Sequence, residues 1–263
     1  MKEKSENIIS KLPAAAALIL ILLLWQLLCS TGLVPAYMLP SPVSVVRAFA
    51  GDFPNLMFHA SITLQEAAYG LLIGIVLGFA AATLMDRFLL LQRALYPLMI
   101  ITQTIPTIAL APVLVLWMGF GMAPKITLVV ITTFFPIAVG LLDGYKSVDH
   151  DAVLLMRSLG ASELQIFYHV KFPSSLPYFF SGLKISASYA VVGAVISEWL
   201  GGFEGLGVYM TRSRKAYAFD RMFAVILLIV IISLLLMLLV NILRNLSMPY
   251  LRAERNVQKT ATE

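Results

Sequence analysis

The sequence has few charged residues and almost no cysteine. Only 13% of its 263 residues are charged, whereas 60% are hydrophobic, and the mean hydropathy is +0.89. Because an ordinary soluble domain carries about 25% charged residues, this composition argues against a soluble enzyme and favours the lipid bilayer as solvent. Cys29 is the single cysteine, which excludes an intrachain disulfide and a cysteine-cluster metal site.

Motifs of nucleotide and metal enzymes are also missing. No glycine is followed by lysine, so the chain has no P-loop. His59, His150 and His169 form no HExxH pair, and no Gly-x-Ser-x-Gly is present. We therefore expect surface or interface histidines, no catalytic residue, no metal and no cofactor bound by this chain, and we predict that it is not an enzyme.

Long apolar runs are what the sequence does have. A membrane-spanning helix needs roughly 20 mostly apolar residues, and six stretches qualify. They are Pro13–Leu33, Ile62–Met85, Leu95–Met118, Ile126–Leu142, Leu176–Leu200 and Met222–Leu243. The first has the basic start of a signal peptide but no small-x-small cleavage site after it, so we expect a retained helix. The predicted fold is an all-α polytopic integral membrane protein.

The distribution of Lys and Arg predicts the orientation. With the N-terminus inside, cytosolic segments hold twelve of these residues and outer segments six, as the positive-inside rule requires. Both termini are therefore predicted to be cytosolic. The predicted divisions are a cytosolic tail (1–12), a first transmembrane helix with an outer loop (13–60), a transmembrane domain (61–245) and a second cytosolic tail (246–263).

Three features inside the spans stand out. Gly70, Gly74, Gly78 and Ala82 recur every four residues, which is typical of close helix packing. Polar residues surround Pro106 in the third span, and others share an arc of about 100° on the fifth. These candidate pathway residues are Gln103, Thr104, Thr107, Ser181, Lys184, Ser188 and Glu198.

Each candidate pathway group has a plainer alternative. The polar residues near Pro106 could instead hold neighbouring helices together. Lys184 could extend its ammonium group toward the cytosol, with Glu198 at the outer interface. The glycine-rich and basic outer loop 201–221 could face an anionic substrate, an acidic partner or lipid headgroups.

The cytosolic loop Lys146–Phe172 is longer than a connection requires. Its pattern predicts a short helix opened by Asp151 and ended by Gly160, and then a second short helix broken before Pro173. Leu154, Leu155 and Leu159 form an apolar face that could seek either a protein partner or the lipid surface.

This loop closely resembles the EAA loop of permease subunits in ATP-binding-cassette importers. Asp151-Ala152 match the start of that motif, Gly160 its glycine and Val170-Lys171-Phe172-Pro173 its closing Ile-x-Leu-Pro. The departures, such as Asp for Glu and Val153 for Ala, are mild.

The resemblance extends over about 210 residues through short motifs in a fixed order. They are Leu39–Pro42, Pro106–Pro112, Trp117–Gly121, Ser197–Gly201 and Gly205–Gly207. In this order they are similar to the nitrate, sulfonate and taurine branch of these permeases, which includes permeases for the pyrimidine precursor of thiamine.

The resemblance implies a permease subunit in the bacterial inner membrane that works as a homodimer. Its expected partners are an ATPase subunit that binds the ATP, an external solute-binding protein and the lipid bilayer, without nucleic acid. The residues implied in ATPase coupling are Asp151, Ala152, Arg157, Ser158, Leu159, Gly160, Ala161 and Pro173. The rival hypotheses are an ion-coupled secondary transporter that uses Glu66, Lys184 or Glu198, and a membrane-embedded enzyme.

Overall fold

The fold is known from a computed structural model, which describes residues 12–35 and 38–249. Those residues form eleven α-helices and one π-helix, and no strand. The helices are α1 (Leu12–Ser30), α2 (Pro42–Gly51), α3 (Phe53–Arg87), α4 (Leu89–Thr104), α5 (Thr107–Met118), α6 (Met122–Lys146), α7 (His150–Ser158), α8 (Glu163–Ile166), the π-helix (Phe167–Lys171), α9 (Phe172–Gly201), α10 (Leu206–Lys215) and α11 (Phe219–Ser247). The all-α prediction is confirmed.

Five helical stretches are long and apolar enough to cross a membrane: α1, α3, α6, the run Glu163–Gly201 and α11. Helices α4 and α5 qualify only as a pair, which is bent by 101°. Proline lacks a backbone N–H and disfavours helical geometry in the residue before it, so the chain breaks at Ile105-Pro106. The prediction of about six spans is confirmed, with the third span broken rather than continuous.

Helix α6 lies at the centre, between α3 and α9. The predicted small-residue stripe of α3 faces it. A Cβ atom at Gly70 would lie 2.4 Å from Val129 of α6, and one at Gly74 would lie 2.3 Å from the Thr133 hydroxyl oxygen. Side chains at these positions would push the helices apart, so the interpretation of the stripe as a close-packing surface is confirmed.

Helices α7 and α10 mark opposite ends of the bundle, called here the α7 end and the α10 end. A hydrophobic cluster toward the α7 end includes Met85, Leu142 and Tyr145. A second cluster joins α2, α3, α9, α10 and α11. Helix α1 has no buried residue and is attached at its end, where the Trp25 indole N–H donates to the Pro40 carbonyl oxygen over 3.1 Å.

One predicted boundary differs from the structure, and another lies largely outside the described residues. Helix α3 begins at Phe53, so the second span is longer than the predicted Ile62–Met85, and position 60 lies inside a helix. The predicted tail 1–12 lies almost wholly outside the described residues, as do the last fourteen residues of the chain.

Candidate coupling helix and translocation pathway

Helix α7 is a short helix with defined ends. The Asp149 side chain caps its start by accepting the Asp151 backbone N–H over 2.9 Å, so the cap is Asp149 rather than the predicted Asp151. At the other end Gly160 has φ +80°, a conformation that glycine adopts without a steric penalty. The prediction that Gly160 ends this helix is confirmed.

The faces of α7 differ in exposure. Val153 is buried against the bundle, whereas Leu154 and Leu155 are exposed and Leu159 keeps 75% of its surface accessible. The predicted apolar face therefore points away from the protein. Ala152 is half-buried, and Ser158 and Ala161 lie on the exposed side or at its border. This end of the molecule presents leucine side chains with nothing in the described chain to cover them.

A series of contacts joins α7 to the fifth span. The Arg157 guanidinium pairs with the Glu163 carboxylate over 3.0 Å, which links α7 to α8. Ser162 and Gln165 form a reciprocal capping box at the start of α8. Lys171 pairs with Asp86 of α3 over 2.8 Å, so the connection is also fixed to the second span.

The predicted break before Pro173 is wrong. Helix α8 continues through the π-helix into α9, and Pro173 lies in the first turn of α9. Pro173 has no backbone N–H to donate, and it directly follows the π-helix, where the regular α-helical hydrogen-bond ladder is already altered. The second short helix of the loop thus runs without interruption into a span.

Six of the seven candidate pathway residues lie on accessible surface. Gln103 and Thr104 are exposed at the end of α4, and Thr107 is half-buried at the start of α5. On α9, Ser181 is exposed, whereas Lys184 and Ser188 are half-buried. The α9 residues share a surface with the exposed side chains of Ile185 and Tyr189.

Glu198 is a correction to the predicted set. Its side chain is buried. Glu198 therefore lies neither on the accessible surface of the other six candidate residues nor at the outer membrane interface, which was the alternative prediction. Its carboxylate accepts the Thr63 hydroxyl over 2.6 Å and the Gly207 backbone N–H over 2.5 Å. Glu198 lies at the edge of the predicted arc, about 100° from Ser181 around the helix, where the first turn of α10 covers it.

Glu198 belongs to a set of side chains that accept hydrogen bonds from the backbone at the start of α10. The Gly205 N–H donates to the His59 Nδ1 atom over 3.0 Å, and the Leu206 N–H donates to the Thr63 hydroxyl oxygen over 2.9 Å. Three successive N–H groups, which an α-helix leaves without internal partners, are thus satisfied by α3 and α9.

Tyr209 fixes the next turn of α10. Its ring stacks on His59 with 5.1 Å between centroids, and its hydroxyl donates to the Asp52 carboxylate. Burial, together with the neighbouring Asp52 carboxylate, raises the pKa of the Tyr209 phenol above its ordinary value. The hydroxyl therefore remains a donor at neutral pH.

The predicted span bounds place Lys125 in the loop before the fourth span, but the residue lies near the start of α6. Its ammonium group is buried and pairs with the Glu66 carboxylate over 2.6 Å. The sequence contained one signal for this buried polar region: His59, Thr63 and Glu66 are spaced so that they share a face of α3.

In residues 12–35 and 38–249, no group of three His, Cys, Asp or Glu side chains is arranged to hold a metal ion.

Comparison with known proteins agrees with this architecture. Residues 74–252 match the model of the family described as "Binding-protein-dependent transport system inner membrane component". The chain is 37% identical to a probable ABC transporter permease protein of Haemophilus influenzae, over 81% of this chain and 87% of the relative. It is also 37% identical to a formylaminopyrimidine transport permease of Halalkalibacterium halodurans, over 83% and 88% of the two chains.

A solved structure shows the same fold. A chain of an inward-facing methionine ABC transporter superposes with a TM-score of 0.63 at 20% identity, over 70% of this chain and 92% of that chain. The family match covers more than half of the sequence and includes α6, α7 and α9. The protein belongs to the binding-protein-dependent transport system inner membrane components, the permease subunits of ATP-binding-cassette importers.

Proposed function

We propose that two copies of this chain form the translocation path of an importer whose α7 docks on a separate ATPase subunit. The observation that supports this proposal is the exposed leucine face of α7, which is joined to α9 through α8 and the π-helix. Exposed leucines of this kind mark a protein-binding or membrane-binding surface, and we favour a protein partner. The ATP is bound by the partner, because this chain has no P-loop.

The contacts between α7, α9 and α3 allow docking on the ATPase to move the membrane spans. When the ATPase subunits close, a force on α7 reaches α9 through the Arg157–Glu163 pair, α8 and the π-helix. It reaches α3 through the Lys171–Asp86 pair. Movement of the ATPases is thereby converted into tilting of two spans, which is the rigid-body motion that alternating access requires.

The pathway is proposed to lie between the two copies. The accessible polar residues Ser181, Lys184 and Ser188 of α9 face it, together with Gln103, Thr104 and Thr107 of the broken third span. Ionisable residues in a membrane usually face a bundle interior or a water-filled cavity, which favours this position for Lys184. Glu198 is not part of this proposal.

The proposed orientation places the α7 end and both termini in the cytosol and the α10 end outside. Lys/Arg counting supports it, although Lys2, Lys4, Lys11, Arg252, Arg255 and Lys259 lie outside the described residues. The proposed partner at the α10 end is a solute-binding protein that delivers the solute.

A small aminopyrimidine is the substrate we favour. The support is the relative named for formylaminopyrimidine, which resembles this chain over most of both lengths. The competing substrate class is a sulfonate such as taurine. Uptake into proteoliposomes that carry the cognate ATPase and binding protein distinguishes them: an excess of taurine that abolishes aminopyrimidine uptake would contradict the choice.

Docking is tested by Leu159→Asp. Burial of a leucine contributes about 1.5–3 kcal/mol, so this change is expected to reduce ATPase co-purification at least about tenfold. The matched control is Leu90→Asp, an exposed leucine on α4 near the same end, which should leave co-purification intact. Undiminished co-purification of the Leu159 variant, or uptake that persists without any ATPase, contradicts the proposal; the latter result would favour an ion-coupled transporter.

A further inference from the structure

Three charged side chains meet inside the bundle at the α10 end. Glu66 of α3, Lys125 of α6 and Glu198 of α9 are 0%, 5% and 1% exposed. Lys125 donates to Glu66 Oε1 over 2.6 Å. Glu198 accepts from Thr63, which lies one turn before Glu66 on α3, so the two carboxyl groups are close enough to act on each other electrostatically. The second Glu66 oxygen, Oε2, is buried without a hydrogen-bond partner.

The charges of this cluster do not balance if both glutamates are ionised. One ammonium group would then face two carboxylates, which leaves one net negative charge buried in a span. An uncompensated charge in a low-dielectric interior is strongly unfavourable, and two adjacent carboxylates repel each other. A positive species must therefore accompany the pair.

We propose that Glu66 and Glu198 bind one proton between them. The proton is shared between the two carboxyl groups, so that Glu66 Oε2 gains the partner that it otherwise lacks. Each carboxyl group keeps stabilising contacts of its own: Lys125 for Glu66, and the Thr63 hydroxyl and the Gly207 N–H for Glu198. The cluster then holds a neutral acid, one carboxylate and one ammonium group.

Other groups near the site leave this balance unchanged. Lys125 comes from α6 and Glu198 from α9, and Thr63 of α3 is uncharged. His59 lies nearer the end of α3, and the charged groups that act on it are Arg212, Glu204 and Asp52. Lys184 is about 21 Å from Glu198 along α9, so it does not supply the missing positive charge.

The proton has a structural consequence. It removes the repulsion between the two carboxyl groups while one negative charge remains near the start of α10, where the helix dipole stabilises it. At the same time it joins Glu66, and with it α3 and α6, to Glu198. The proton thus links three spans to α10. This inference depends on the membrane setting of the chain but not on its ATPase partner or its substrate.

Infrared spectroscopy tests the proposal directly. The purified full chain is studied at neutral pH in a maltoside detergent, which contains no carbonyl group. The wild type is expected to show the C=O stretch of a protonated carboxylic acid. Glu66→Gln and Glu198→Gln should each abolish the band, because in each variant the remaining glutamate ionises and balances Lys125. The matched control is Glu163→Gln, an exposed position, which should retain the band.

A double-mutant cycle gives a second, independent measurement. Each single glutamine variant stays neutral, so its loss of thermal stability should be small. The variant with both glutamines leaves Lys125 unpaired and should melt well below the sum of the single effects, or fail to fold. Adding Lys125→Met should restore it. Absence of the band from the wild type, its survival in either single variant, or additive melting shifts would overturn the proposal, whereas the docking and uptake tests would be unaffected.

Discussion

At the scale of single residues, Gly205 shows how closely the start of α10 packs against Glu198 of α9. Its φ is +118°, and a Cβ atom there would lie 2.2 Å from a Glu198 carboxylate oxygen. Two separate penalties therefore oppose any side chain: the left-handed backbone and the carboxylate beneath it. The glycine is required by packing as well as by conformation.

Gly205→Ala is expected to destabilise the protein. The backbone penalty is about 1–2 kcal/mol, and the clash adds about 1–3 kcal/mol because the buried carboxylate has to shift. Thermal unfolding of the purified chain in detergent measures the loss. Gly121→Ala is the matched control, since Gly121 has φ +138° but nothing within 4 Å of its Cβ position, and it should show the backbone penalty alone. Equal losses in the two variants would refute the role of the Glu198 contact.

Residues whose roles depend on neighbours in sequence were predictable. Gly160 followed from its position after a helical pattern, and the α3 stripe followed from spacing alone. The Lys125–Glu66 pair was not predictable, because the two residues are 59 positions apart and the local sequence of each suits a helix end. Glu198 was misplaced for the same reason. The helical periodicity of α9 shows which residues share a face, but it does not show which other element packs on that face.

At the scale of elements, the π-helix decides how α7 is connected. The sequence predicted two short helices and a break, yet the chain is helical from Glu163 to Gly201. A π-turn contains one residue more than an α-turn, which sets the rotation of α7 about the axis of α9. The sequence gives little signal for such an insertion, because its residues also suit an α-helix.

Deletion of His169 is expected to convert the π-helix into regular α-helix. Helix α7 would then be rotated by about 100° relative to α9, while its leucine face stays intact. We expect ATPase co-purification to persist and solute uptake to be lost, as measured in proteoliposomes. His169→Ala keeps the number of residues and should retain uptake. Normal uptake by the deletion variant would show that the rotation of α7 does not matter for coupling.

At the scale of the whole molecule, many large apolar side chains are exposed on the single chain. Lipid can cover those of α1 and α11, since both helices contain a long apolar run. The surface of α9 differs because it mixes Tyr189 and Ile185 with Ser181, Lys184 and Ser188. This mixture of apolar and polar side chains favours contact of the α9 surface with a second copy of the chain, with a polar path between the two copies.

Cross-linking tests this arrangement. In a Cys29→Ser background, Tyr189→Cys should be joined to its equivalent in a second copy by a short bis-maleimide in membranes. The product is a dimer on a denaturing gel, and its yield should persist when the protein is diluted with lipid. Leu235→Cys, an exposed position on α11, serves as control and should remain monomeric. Absence of the Tyr189 dimer, or equal yields at both positions, would contradict a path between α9 surfaces.

Composition and local spacing were sufficient to predict the membrane setting, about six spans, the close-packed stripe of α3 and the short helix that ends at Gly160. Those features depend on residues within a few turns of one another. The burial of Glu198 and Lys125, and the hydrogen bonds from α10 to His59, Thr63 and Glu198, became evident only from the packing of the helices. These arrangements depend on where separate spans pack, since burial and hydrogen bonding come from residues far apart in the chain.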